Sequence, residues 1–107
     1  MTTLLSLIIP IAIHFGLNSS KIEEYQKLNI ENTAIYLKDN PDCKLYVIGY
    51  SDLVENSDKL SENRAENVKK EIIKLGAHDN QLVVIEEGTR VQNYEKNDWN
   101  RVVIITD

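Results

Sequence analysis

Apolar residues alternate with polar ones in Ile11-Ala12-Ile13-His14-Phe15-Gly16-Leu17. This predicts a strand with Ile11, Ile13, Phe15 and Leu17 on one face and His14 on the other. The period then lengthens. Ile30, Ala34 and Leu37 fall at i, i+4 and i+7, an inward helical stripe, with Ile22 two turns earlier on roughly that side. Ser20 and Glu23 have capping-box spacing and predict where this helix starts; Asn40-Pro41-Asp42 stops it. Period two returns over residues 43–50, with Leu45 and Val47 on one side and Tyr46, Ile48 and Tyr50 on the other. Ser61 is the expected N-cap of a second helix that buries Ala65, Val68, Ile72 and Leu75, and Gly76 stands where a left-handed C-cap belongs. Residues 82–85 read as a short buried strand, 88–98 as a polar loop and 101–105 as the last strand.

The order β-α-β-α-β-β predicts right-handed crossovers with the helices packed over one face. The expected fold is α+β, a two-layer α/β sandwich with a mixed four-stranded sheet and two helices on one face. With no repeat or Pro/Gly-rich linker, one domain is placed at residues 11–107. Residues 1–10 are read as an apolar N-terminal extension or the cut edge of a longer protein. The apolar run at 4–13 is too short to span a bilayer. It lacks the positive n-region and small-residue cleavage site of a signal peptide. Met1 is therefore read as opening a fragment, with any targeting segment outside it.

Composition narrows the function. The 107 residues are 42% hydrophobic and 27% charged, with a formal net charge of -5. That charge argues against a nucleic-acid binder, which needs a basic footprint, and against docking on anionic lipid. Cys43 is the only cysteine, so no disulfide staples the fold and no Cys/His metal spacing exists.

The candidate chemistry lies in Gly49-Tyr50-Ser51-Asp52 and Leu60-Ser61-Glu62-Asn63-Arg64-Ala65. A strand ending in an acid, then a polar loop, then a helix with a cation in its first turn puts Asp52 and Arg64 at one end of the fold. They read either as a structural salt bridge or as a clamp for a zwitterionic ligand. A cation in the first helical turn opposes the macrodipole at a cost of ~0.3–1 kcal/mol if exposed. A nearby anion, a ligand carboxylate or Asp52 itself, would remove that cost. Asp52, Glu55, Asp58 and Glu62 cluster in sequence but lack a calcium-loop pattern, and read as a solvated acidic loop. His14 and His78 have no Ser or Cys partner, and Glu23-Glu24 and Glu86-Glu87 are adjacent pairs rather than acids facing across a cleft. No enzyme activity, cofactor or metal is expected. Tyr25, Tyr36, Tyr46, Tyr50 and Trp99 read mainly as half-buried covers of the sheet and helix edges, with sugar stacking as the alternative. Tyr46, Ile48 and Tyr50 form a face away from the helices that would suit a homodimer.

These segments resemble the OmpA-like C-terminal domain, a peptidoglycan-binding module of bacterial envelopes. Ile13-His14-Phe15-Gly16-Leu17-Asn18 is similar to the family's opening YFDFN strand. Val47-Ile48-Gly49-Tyr50-Ser51-Asp52 resembles V-x-G-[HY]-[TS]-D. Leu60-Ser61-Glu62-Asn63-Arg64-Ala65-Glu66-Asn67-Val68 resembles LSxxRAxxV, and Asn100-Arg101-Val102-Val103 the terminal NRRV. The resemblance implies a non-catalytic domain that anchors an envelope protein to the cell wall at the periplasmic face of the outer membrane. Its ligand would be the diaminopimelate stem peptide of peptidoglycan, with Asp52 on the ammonium and Arg64 on the carboxylate. Arg101, Ser51 and Ser57 would support them. Such charge-assisted bonds contribute ~1.5–3 kcal/mol each when shielded. The chain departs from the family at Gly16 (an acid there), Ser57 (Asn), Val102 (a second Arg), a G-x-G-E segment poorly kept around Gly88-Thr89-Arg90, and a shorter loop between Asp52 and Leu60. Those departures set the alternative: a structural or protein-protein assembly module that keeps the fold without the ligand.

Overall fold

The computed structural model describes residues 9–55 and 59–107. Its elements are β1 (Ile11–His14), α1 (Lys27–Asp39), β2 (Leu45–Tyr50), α2 (Leu60–Lys74), β3 (Leu82–Gly88) and β4 (Val102–Thr106), with short 3-10 turns at Glu24–Gln26, Asp79–Gln81 and Asn97–Asn100. The sheet order is β1-β4-β2-β3. β2 and β3 are parallel, joined by the α2 crossover, while β4 runs antiparallel to both β1 and β2. The mixed four-stranded sheet with two helices is the α+β architecture expected from the pattern.

Both helices share one core with the sheet. Ile30, Ala34 and Leu37 of α1 and Ala65, Val68 and Ile72 of α2 bury against Ile13, Leu45, Val47, Val103 and Ile105. Leu75, expected in that face, is 37% exposed because α2 ends before it at Lys74. The stop is a Schellman arrangement: Gly76 has φ +120, its N–H donates to the Ile73 carbonyl, and the Ala77 N–H donates to the Ile72 carbonyl.

Gly49 explains how closely α2 lies on β2. A Cβ built there would fall 2.0 Å from the Ser61 carbonyl oxygen. Only glycine lets the helix backbone settle that near the strand, and the first turn of α2 is thereby fixed beside Tyr50.

Helix starts differ from expectation. Ser20 and Glu23 form no capping box; α1 begins at Lys27, after a 3-10 turn, and its N-cap Gln26 makes no side-chain cap bond. Ser61 is not the N-cap of α2. Lys59 holds that position, and Ser61 is buried inside the helix with no partner for its hydroxyl among the described residues. β1 ends at His14, and the chain turns at Gly16 with the Ser19 N–H donating to its carbonyl. That turn swings Leu17 outward, so it is exposed rather than inward-facing.

On the open face of the sheet Tyr46 and Val83, register partners on β2 and β3, are half exposed. Tyr50, expected on that face with Tyr46 and Ile48, is buried. The register shifts between Gly49 and Tyr50, and the segment after β3 covers the ring, with Asn93 hydrogen-bonded to it. Burial, then the Glu87 charge, push the Tyr50 phenol up from its ordinary value.

Candidate functional site

The charged groups gather where β2 enters the loop toward α2. Arg64 is the fifth residue of α2, one place past the first turn in which it was expected. Helical side chains lean toward the N-terminus, and its fully buried guanidinium reaches back over the end of β2. All five N–H donors of the guanidinium are used. Nε donates to the Ser19 carbonyl at 2.8 Å, Nη1 to the Tyr50 carbonyl at 3.0 Å, and Nη2 to the Gly16 carbonyl at 3.1 Å. The remaining two meet a carboxylate: Nη1 donates to Glu55 Oε1 at 2.8 Å and Nη2 to Glu55 Oε2. The Phe15 ring centroid lies 5.3 Å from Cζ, adding a cation–π contact.

Glu55 is as deeply enclosed as its partner, with no exposed side-chain surface. Beyond Arg64, Oε1 accepts the Asp52 N–H at 3.0 Å and Oε2 the Asn18 N–H at 2.8 Å. Two donors per oxygen fill the acceptor capacity of a carboxylate. Asp52 is buried too. Oδ1 accepts the N–H groups of Val54 and Glu55 at 2.8 and 3.0 Å, and Oδ2 accepts Arg101 Nε at 2.6 Å. Asp52 and Glu55 thus satisfy each other's amides, the reciprocal geometry of a capping box used on a loop turn.

The fold therefore brings Asp52 and Arg64 together, each with its own counter-ion. The anion expected beside Arg64 was a ligand or Asp52; it is Glu55. Asp52 is turned away by its own loop amides and by Arg101, whose side chain remains 20% exposed. Ser51 is buried and joins through its backbone: its N–H donates to the Gly88 carbonyl, and its carbonyl accepts from Gln92 Nε2. Ser57 lies outside the described residues. Glu55 was read only as part of an acidic loop, yet Asp52-Leu53-Val54-Glu55 carries the D-x-x-E spacing that signals reciprocal capping. At Gly16 a Cβ would have, among the described residues, Ser19 Cβ as its neighbour at 3.9 Å, an ordinary contact.

Beside this cluster, His14, Tyr94 and Trp99 pack as a ring group, with centroids 5.7–6.3 Å apart. His14, Tyr25, Asp98 and Trp99 line a shallow cleft of about 330 Å³. Burial lowers the His14 imidazole below its ordinary value, opposed by a hydrogen bond with the Trp99 backbone. Among the described residues no three His, Cys, Asp or Glu side chains are grouped to hold a metal. Nor is any helix among them long and apolar enough to cross a membrane.

The sequence model of the OmpA family matches residues 14–103, which includes both strand ends, the Asp52 loop and all of α2. The chain belongs to the OmpA family. It is 35% identical to outer membrane protein 40 of Porphyromonas gingivalis over 97% of its length, and spans 28% of that relative. The peptidoglycan-associated lipoprotein of Burkholderia pseudomallei shares the fold, with a TM-score of 0.79 at 21% identity over 89% of this chain and 87% of that one. The C-terminal domain of Helicobacter pylori MotB superposes with a TM-score of 0.74 at 25% identity, covering 91% of this chain and 84% of that one.

Proposed function

We propose that this domain is a non-catalytic peptidoglycan-binding module, anchoring an envelope protein to the cell wall at the periplasmic face of the outer membrane. One observation carries the reading: a fully buried guanidinium gripping a carboxylate through two parallel bonds, with a second buried carboxylate on the adjoining turn. A diaminopimelate end group has the matching pair of charges. With Glu55 displaced, Arg64 and the Asp52 and Asn18 amides take its carboxylate, and Asp52 takes its ammonium. Arg101 holds Asp52 in place, and Ser51 and Ser57 shape the loop around them. Tyr25 and Trp99, exposed beside the cluster, offer ring faces to the glycan. Family membership supports a cell-envelope role, and the name of the Burkholderia neighbour points to peptidoglycan as the kind of partner.

Calorimetry with a diaminopimelate stem peptide tests it. Wild type should bind, and Asp52→Asn should weaken binding about tenfold or more, the loss expected for a charge-assisted bond of ~1.5–3 kcal/mol. No heat with wild type, and no retention on purified peptidoglycan, would leave the second reading. In that reading the closed ion pairs are purely structural and the domain acts in assembly through the half-exposed Tyr46 and Val83 face. Self-association in a sedimentation experiment, lost in Tyr46→Ser, would then be expected.

A further inference from the structure

We infer that Glu55 is a resident ligand of this site: an internal carboxylate that occupies the receptor built by Arg64 and must leave before an external carboxylate enters. The inference deepens the peptidoglycan reading and, for the natural ligand, rests on it. The donor count decides it. Arg64 has five N–H groups, and Ser19, Tyr50 and Gly16 carbonyls take three of them. These three bonds tie α2 to the end of β2 and to the segment between β1 and α1. The other two point the same way and end on Glu55. The Asp52 and Asn18 amides converge on the same two oxygens. Four donors from three separate segments thus surround one carboxylate, and none of the four is spare while Glu55 stays.

The receptor and its occupant are separable in the fold. Arg64 sits on a helix fixed by Gly49, and Asn18 and Asp52 donate from the backbone. Glu55 contributes a side chain from the loop, and its removal leaves the other parts attached through their own bonds. The vacancy would have the shape and charge of a carboxylate. Glu55 therefore sets the affinity of the site: every external carboxylate competes with a tethered one whose effective concentration is high.

The test is chemical rescue of Glu55→Ala. Thermal melting is followed while acetate is added at constant ionic strength, with chloride and acetamide as controls. Acetate should raise the melting temperature of the variant saturably, by mass action on the folded state, and leave wild type at the chloride level. The stem peptide should bind Glu55→Ala at least about tenfold tighter than wild type, a difference of about 1.4 kcal/mol. Equal acetate responses in variant and wild type would overturn the inference. If acetate rescues the variant but the stem peptide binds no better than acetate, Glu55 is a resident ligand and the peptidoglycan reading is wrong. Where the alanine variant does not fold, Glu55→Ser, which also leaves the carboxylate position open, enters the same titration with the same expectations. If neither variant folds at any acetate concentration, Glu55 is a part of the fold rather than an exchangeable ligand, and the inference falls.

Discussion

Two buried polar hubs stand at opposite ends of β2, and they differ in one respect. At the end where β2 starts, Gln81 Nε2 donates to the carbonyls of Leu37, Asn40 and Cys43, and its Oε1 accepts the His78 N–H. At the end where β2 stops, Arg64 donates to the carbonyls of Ser19, Tyr50 and Gly16. Each hub ties three backbone carbonyls to one side chain that is almost wholly enclosed. Gln81 is neutral and its partners are complete within the backbone. Arg64 carries a charge that backbone carbonyls do not neutralise, so this hub needs an anion. A structural tie alone is within reach of an amide. The guanidinium adds a requirement for a carboxylate, which Glu55 meets.

Replacing each hub separates the two kinds. Arg64→Met should show the largest loss, about 3–5 kcal/mol, because Glu55 is left buried without its counter-ion. Urea unfolding measures it. Gln81→Leu should cost less, about 1–3 kcal/mol, for orphaned carbonyls at an uncharged hub. A loss at Gln81 equal to that at Arg64 would dissolve the distinction between them. The smallest effect lies outside both hubs, at His14. Its folded value is lowered by burial, so the folded state binds the proton less readily than the unfolded chain. The stability that follows is present above the ordinary value of 6.5 and is lost as pH falls through the lower folded value. His14→Gln should flatten that part of the stability-pH curve and leave the rest unchanged.

The candidate site was partly legible along the chain. Asp52 and Arg64 could be picked out because a strand end and a helix start announced themselves in the pattern, while Arg101 came only from the resemblance of Asn100-Arg101-Val102-Val103 to the family's terminal motif. Glu55 was not, since an acid in a loop of acids carries no period. Its D-x-x-E relation to Asp52 was the one available sign. Ser61 shows the converse. A serine near a helix start is a strong capping signal, yet the close approach of α2 to Gly49 buries it within the first turn.

Local chemistry was enough to place the elements in order and kind, though not the two helix starts or the end of β1. Alternation placed the strands, three- and four-residue spacing placed the buried helix stripes, and Gly76 ended α2, because each depends on neighbours in the chain. The pairing of charges depended on the tertiary structure. Arg64 meets Glu55 rather than Asp52 because the turn after β2 folds Asp52 onto its own amides and toward Arg101, while carrying Glu55 beneath the helix. Which of two nearby acids a buried guanidinium selects depends on side-chain direction and on donors supplied by distant segments such as Asn18. Those become neighbours only once the sheet has closed.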